Sequence, residues 1–234
     1  MLAFAEEDTY AFRKELGQSL IQSWCDEEFA PVAQRFAANF AQRDELGASL
    51  CIIYKGRVIT DLWGGLAEAE TCRRWDRDTI SVIFSATKAA TALCIHLLAQ
   101  RGRIELDSFV ADYWPEYGAA SKAATTIRMV LDHTAGVPAL REPLKPDCLT
   151  DHTYMAERIA AAEPFWDPGS RTAYHPLTMG FILAEILRRI DGRSLGRFFA
   201  DEIGCDRSKN HPCWCSLPAY LSRAQEGADD DARN

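Results

Sequence analysis

Two hydrophobic periods organise the first hundred residues. Between Glu28 and Gln42 the apolar positions Phe29, Val32, Phe36 and Phe40 recur every three or four residues, which predicts an amphipathic helix. The run Ala48–Tyr54 is apolar without a helical period, and Val58–Trp63 resumes the pattern after the polar turn Lys55-Gly56-Arg57. Together they predict a β-hairpin, closed by Gly64-Gly65. A polar stretch with Arg73, Arg74, Asp76 and Arg77 follows, then a short apolar strand expected over Thr79–Phe84. From Ala86 to Gln100 the chain is apolar nearly all round, so it predicts a buried helix.

Beyond Gly102 the pattern is helical and rich in loops. Asp107-Ser108 is expected to cap a short helix ending at Pro115, and Thr126–His133 to form a helix stopped by Gly136 and Pro138. Asp151–Ala162 carries an Asp cap and ends near Pro164. Pro176–Ile190 has Pro in its first turn and Gly192 past its end. Ser194–Ile203 starts on a Ser cap. No internal repeat interrupts this series. The periodicity is lost at Gly204, and Ala224–Asn234 is polar and acidic, the composition of a disordered tail. The expected organisation is therefore an N-terminal extension over 1–27, a domain over 28–203 and a divergent tail over 204–234.

Composition narrows the classes of function. The 234 residues are 47% hydrophobic and 26% charged, an ordinary globular balance, and the formal charge of −8 argues against nucleic acid as a partner. No apolar run approaches the roughly 20 residues that span a bilayer, so no membrane partner is expected. The first ten residues hold Glu6, Glu7 and Asp8 and no basic cluster, unlike a secretory signal. A cytoplasmic location follows as the expectation, with Cys25, Cys51 and Cys94 as free thiols inside apolar elements. Cys205, His211, Cys213 and Cys215 invite a metal reading. The usual zinc pairs are Cys-x₂₋₄-Cys, which Cys-x-Cys with a lone upstream Cys fits poorly, so no metal is expected.

The candidate chemistry begins at Ser85-Ala86-Thr87-Lys88. A serine at a helix start with a lysine three residues on puts both side chains on one face. Burial of the helix would desolvate Lys88, lower its pKa and let it act as a base. The plain alternative is a Ser N-cap followed by a first-turn Lys. Tyr174 stands on a short loop ahead of an apolar helix, well placed to shuttle a proton; the plain alternative is a core ring with its hydroxyl at the surface. His175 reads as a polar substrate contact or as a loop residue.

These pieces resemble the serine beta-lactamase-related family, which includes class C beta-lactamases, D-alanyl-D-alanine carboxypeptidases and beta-lactamase-like esterases. The matching segments stand in family order: Gly56-Arg57-Val58 with Asp61-Leu-Trp63-Gly-Gly65, Phe84-Ser-Ala-Thr-Lys88, and Tyr113-Trp-Pro-Glu116. Met129-Val-Leu-Asp-His-Thr-Ala-Gly136, Pro168-Gly169, Tyr174-His-Pro-Leu-Thr-Met-Gly180 and Gly192-Arg-Ser-Leu-Gly-Arg-Phe-Phe199 follow. The Tyr-His-x-x-Thr-x-Gly form looks like the esterase-type branch. The resemblance implies an α+β, beta-lactamase/transpeptidase-like fold. It also implies Ser85 as nucleophile and site of an acyl-enzyme, Lys88 as proton acceptor, and Tyr174 as partner base and later proton donor. The Ser85 N–H would be one oxyanion donor, and no metal or organic cofactor is needed. Pro176 stands where the family's Tyr-x-Asn form has Asn, so that substrate contact is absent and His175 is the substitute candidate. The resemblance makes His133 a loop residue rather than a member of a Ser-His triad.

No Lys-Thr-Gly or equivalent third motif follows Phe199, so the expectation is a fold lacking its C-terminal sheet strands, by truncation or frameshift near Gly204. That would leave the hairpin with an unpaired edge and remove a second oxyanion donor. Two readings stay open. One is a carboxylesterase-like serine hydrolase acting on a small-molecule ester or amide; the other is a non-catalytic truncated fragment or pseudoenzyme. Neither fixes the oligomeric state or the substrate.

Overall fold

Phe36 and Phe40, one helical turn apart, meet edge to face with centroids 5.3 Å apart and bury on the same side of a helix. That helix, α1 (Ala30–Gln42), has Pro31 in its first turn, where a missing N–H costs nothing. It is one element of a computed structural model that describes residues 21–204, which form two compact units, 21–80 and 81–204. Each is described by itself.

In the first unit α1 lies on a sheet of β1 (Gln22–Cys25), β2 (Gly47–Tyr54), β3 (Arg57–Glu68) and the two-residue β4 (Arg73–Arg74). The order is β1-β3-β2, all antiparallel, with β4 also pairing β3. Phe36, Phe40 and Leu62 form its small core. The expected hairpin is present. Lys55 and Gly56 both have positive φ, +50° and +76°, the backbone twist of a type I′ turn. Two details differ from the sequence reading. Gly64-Gly65 does not close β3, which runs on to Glu68. Gly65 instead permits a close approach: its φ is +84°, and a Cβ there would meet the Leu46 carbonyl and the Phe40 ring. β1, inside the segment expected to be an extension, pairs Gln22–Cys25 with Thr60–Trp63; four residues without alternation carry no strand signal. Among the described residues no strand adds to the free edge of β2, where Ile53 and Tyr54 are exposed.

The second unit is helical: α2 (Thr87–Gln100), α3 (Val110–Tyr113), α4 (Ile127–Leu131), α5 (His152–Ala161), α6 (Thr178–Asp191) and α7 (Leu195–Glu202). The caps expected at Asp151 and Ser194 are in place, and Thr126 adds a third. The side chains of Thr126, Asp151 and Ser194 accept from the backbone N–H of Met129, Tyr154 and Arg197 at 3.2, 2.9 and 3.3 Å, and Gly192 ends α6 at φ +89°. Asp107, expected in a cap, instead pairs with Arg128 through two hydrogen bonds of 2.6 and 2.9 Å. The core runs from Cys94, Ile95 and Leu98 on α2 through Trp114, Ile127 and Ile159 to Ile182, Ile186 and Phe198. Each such side chain contributes on the order of 1.5–3 kcal/mol of burial. Two charged groups lie within it. Lys122 is fully buried, its Nζ donating to the carbonyls of Ala119, Ala160 and Ala162, the last two at the end of α5. Glu185 on α6 accepts from Arg188 and Arg189 and meets His152, which holds its carboxyl far below the usual range.

The segment Thr79–Phe84, expected as a strand, has no ladder partner among the described residues; it is irregular as far as Ile83, and Phe84 opens a 3₁₀ turn. An isolated strand has nowhere to place its N–H and C=O groups, and Ile80, Val82, Ile83 and Phe84 are exposed. The helix after it is not buried all round. α2 packs against α6 and α7 through the face carrying Thr91, Cys94, Ile95 and Leu98, while Ala89, Leu93 and His96 face outward. Cys25, Cys51, Cys72, Cys94 and Cys148 are free thiols, and burial pushes that of Cys94 up to about 12. The segment holding Cys205, His211, Cys213 and Cys215 lies outside the described residues, as does the acidic stretch after it. No helix among the described residues is long and apolar enough to cross a membrane.

Candidate active site

Ser85 sits in a single 3₁₀ turn, Phe84–Ala86, that runs directly into α2. Phe84, just before it, adopts φ +45°, a left-handed conformation that costs a bulky L-residue about 1–3 kcal/mol. The strained step lets the chain turn from an irregular segment into a helix within one residue and leaves Ser85 exposed at the helix mouth. Lys88, in the first turn of α2, brings its Nζ to 3.5 Å from Ser85 Oγ. Lys88 is half-buried rather than enclosed as the apolar sequence of its helix suggests.

Tyr174 arrives from the other end of the unit, 89 positions along the chain. Its hydroxyl donates to Ser85 Oγ at 2.5 Å, and its ring lies 4.9 Å from Lys88 Nζ. Lys88 is held there by a second acceptor, the Pro176 carbonyl at 2.6 Å. That carbonyl is free because α6 begins at Thr178, two residues later than the sequence predicts. The hydrogen bond to Ser85 and the neighbouring Lys88 draw the Tyr174 phenol below its ordinary value of 10. The structure thus brings Ser85, Lys88 and Tyr174 together at the N-terminal end of α2.

His175 is placed differently from the expected substrate contact. It is fully buried, its Nε2 accepts from the Val137 N–H at 3.0 Å, and its Nδ1 lies 2.6 Å from the Ala173 carbonyl. Both ring nitrogens are taken by backbone groups, so the ring offers a substrate nothing. Its work is to fix the loop on which Tyr174 stands. Residues 133–137 run beside that loop and hold it along its length. Phe165 N–H bonds Gly136 O at 2.7 Å, Gly169 N–H bonds Thr134 O at 2.9 Å, and Ala173 N–H bonds His133 O at 3.2 Å. Thr178 Oγ1 donates to Val137 O at 2.6 Å. Gly136 is required at φ +82°, where a Cβ would stand 2.5 Å from the Trp166 carbonyl. Reading residue by residue misses this clamp. Its only trace in the sequence is the short polar run Asp132-His133-Thr134 between a helix and Gly136.

A family model described as Beta-lactamase matches residues 32–204, most of the chain and all of the site. The chain belongs to the beta-lactamase family. It is 39% identical over 178 residues to the esterase/beta-lactamase LipL of Mycobacterium tuberculosis, a match that covers 76% of this chain and 41% of that protein. Among solved structures it is similar to a family VIII carboxylesterase, with a TM-score of 0.73 and 37% identity, covering 82% of this chain and 56% of the other. A penicillin-binding protein homologue from Caulobacter crescentus gives a TM-score of 0.74 and 36% identity, covering 80% and 53%. The chain therefore has the α+β, beta-lactamase/transpeptidase-like fold over its described residues, and spans about half the length of these relatives. Within the beta-lactamase family's frame Pro176 is the departure noted above, and its carbonyl holds Lys88.

Proposed function

We propose that the chain carries the acylation centre of a carboxylesterase-like serine hydrolase that acts on a small-molecule ester or amide through a Ser85 acyl-enzyme. The observation that carries this reading is Ser85 Oγ within hydrogen-bonding reach of both Lys88 Nζ and the Tyr174 hydroxyl. Ser85 Oγ adds to the carbonyl carbon as its proton passes to Lys88, with Tyr174 as the partner base beside it. Negative charge gathers on the carbonyl oxygen. The Ser85 N–H, at a helix start where backbone donors lack an intrahelical acceptor, is one oxyanion donor. Collapse breaks the bond to the leaving alcohol or amine, which takes a proton from Tyr174, and Lys88 returns its proton to the phenol. Water then attacks the Ser85 ester by the same route and releases the carboxylate. No metal or organic cofactor enters these steps. The esterase-type relatives favour an ester as the substrate.

A p-nitrophenyl ester tests the reading. A burst of nitrophenolate matching the amount of protein is expected, absent in Ser85→Ala. A burst that survives in Ser85→Ala, or none from the folded wild type, overturns it. A second reading, a non-catalytic member of the family, is favoured by the openness of the site: Phe84 is 80% exposed beside Ser85. It predicts a cooperatively folded protein with no burst.

A further inference from the structure

Tyr174 is flanked by two hydrogen bonds to one residue. On one side the Ala173 N–H donates to the His133 carbonyl at 3.2 Å. On the other the His175 N–H donates to His133 Nδ1, also at 3.2 Å. The His133 ring meets the Tyr174 ring edge to face, centroids 5.0 Å apart, and stacks on His175 at 5.6 Å. No other residue grips the Tyr174 loop on both sides of the phenol in this way among the bonds described. The backbone of His133 is itself in the left-handed region, φ +66°, which is what turns its carbonyl and its ring toward the same three residues.

The hydrogen bonds assign the protons. His133 Nδ1 accepts, so its proton is on Nε2. His175 Nε2 accepts from Val137, so its proton is on Nδ1, facing the Ala173 carbonyl. Two neutral rings in opposite tautomers fit all three of these hydrogen bonds. A proton added to His133 Nδ1 would face the His175 N–H, a donor against a donor. We propose that His133 is a positioning residue that holds Tyr174 on Ser85 only while its imidazole is neutral.

The charged and titratable neighbours agree with this. Lys88 from α2 faces the ring, Tyr174 and His175 border it from the loop, and Asp132 stands next to it at the end of α4. Burial and then the Lys88 charge depress the His133 pKa, and Asp132 partly offsets them. Asp132 is also occupied locally, its Oδ1 accepting from Thr134 N–H and Oγ1 at 3.2 and 2.6 Å. The neutral ring therefore prevails at neutral pH, and acid opens the clamp. This inference rests on the acylation reading for its consequence, because the clamp matters to rate only if Tyr174 serves Ser85.

The test uses the whole chain and two readouts. The first is the His175 amide proton followed by NMR through the His133 titration. It is expected to shift with the same midpoint in the wild type, and to stay put in His133→Asn. Asn places Oδ1 where Nδ1 stood and tolerates the left-handed backbone. The second is the rate of fluorophosphonate labelling at Ser85 against pH. His133→Ala should slow it about ten- to hundred-fold at pH 7.5, the scale of a misplaced catalytic group. His133→Asn should restore most of that loss and remove the acid limb of the profile. An amide that ignores the His133 titration overturns the proposal. So does an acid limb unchanged in His133→Asn, or an Asn variant as slow as Ala. If Ser85 never labels in the wild type while the amide follows His133, the acylation reading fails and the neutral-His133 clamp stands.

Discussion

Residues 81–204 enclose a core that reaches from Cys94 to Phe199 and involves α2 to α7, whereas residues 21–80 bury Phe36, Phe40 and Leu62 under one helix. In the helical unit three helix starts are capped by the side chains of Thr126, Asp151 and Ser194, Lys122 takes the last carbonyls of α5, and Glu185 gathers two arginines. In the sheet unit no described strand adds to the edge of β2, and Ile53 and Tyr54 are exposed. Ser85, Lys88 and Tyr174 all belong to the helical unit. Placing a phenol 2.5 Å from a hydroxyl across 89 positions of chain needs a surrounding that does not yield, and the helical core with the 133–137 clamp provides it.

The largest expected effect that sharpens this contrast is chemical. Tyr174→Phe and Lys88→Met should each slow fluorophosphonate labelling by about 10²- to 10⁴-fold while leaving the thermal transition in place. Unchanged rates would mean the two side chains are ornaments of packing. Next in size are core truncations, one in each unit. Ile182→Ala and Leu62→Ala should each cost about 2–5 kcal/mol in denaturant unfolding. Hydrogen exchange should show Leu62→Ala opening β2 and β3 while leaving the amides of α6 protected. Equal loss of protection in α6 would break the contrast between the units. Glu185→Gln comes third, at about 2–3 kcal/mol, since Arg188 and His152 lose the buried carboxylate they share with Arg189; chemical denaturation measures it. A smaller effect is set by pH. His133 and His175 have folded pKa values below the ordinary 6.5. The unfolded chain then binds protons that the folded chain refuses, so stability is fully present above about pH 6.5 and falls as acid is added. Melting curves from pH 7.5 to 5 should show a decline that His133→Asn reduces. Smallest is Asp107→Asn, which removes a fully exposed pair with Arg128 and should leave the melting temperature unchanged.

Much of the helical unit was legible in the sequence because its signals are local. Caps at Asp151 and Ser194 and the stop at Gly192 are one-residue statements of backbone geometry, and the structure follows them to within a residue or two. Ser85, Lys88 and Tyr174 were legible as residue types in a spacing and through a family resemblance, and the structure adds that they meet. Where the reading failed, burial or pairing depended on partners far along the chain. Thr79–Phe84 has the composition of a strand but no neighbouring strand to pair with among the described residues. The α2 sequence is apolar on faces that no described element covers, such as Ala89 and Leu93. Gly65 looked like a stop and is instead a point of close approach inside β3. His175 looked available because a histidine on a loop usually is, yet its two ring nitrogens are spent on Val137 and Ala173.

Whether Ser85 is an activated nucleophile decides the chemistry proposed for this site. The folded protein treated with a fluorophosphonate at pH 7.5 should gain the mass of one phosphonyl group. Peptide mapping should put it on Ser85, and Ser85→Ala should gain none. A folded protein that stays unmodified, or one modified equally well after Ser85→Ala, would contradict the account.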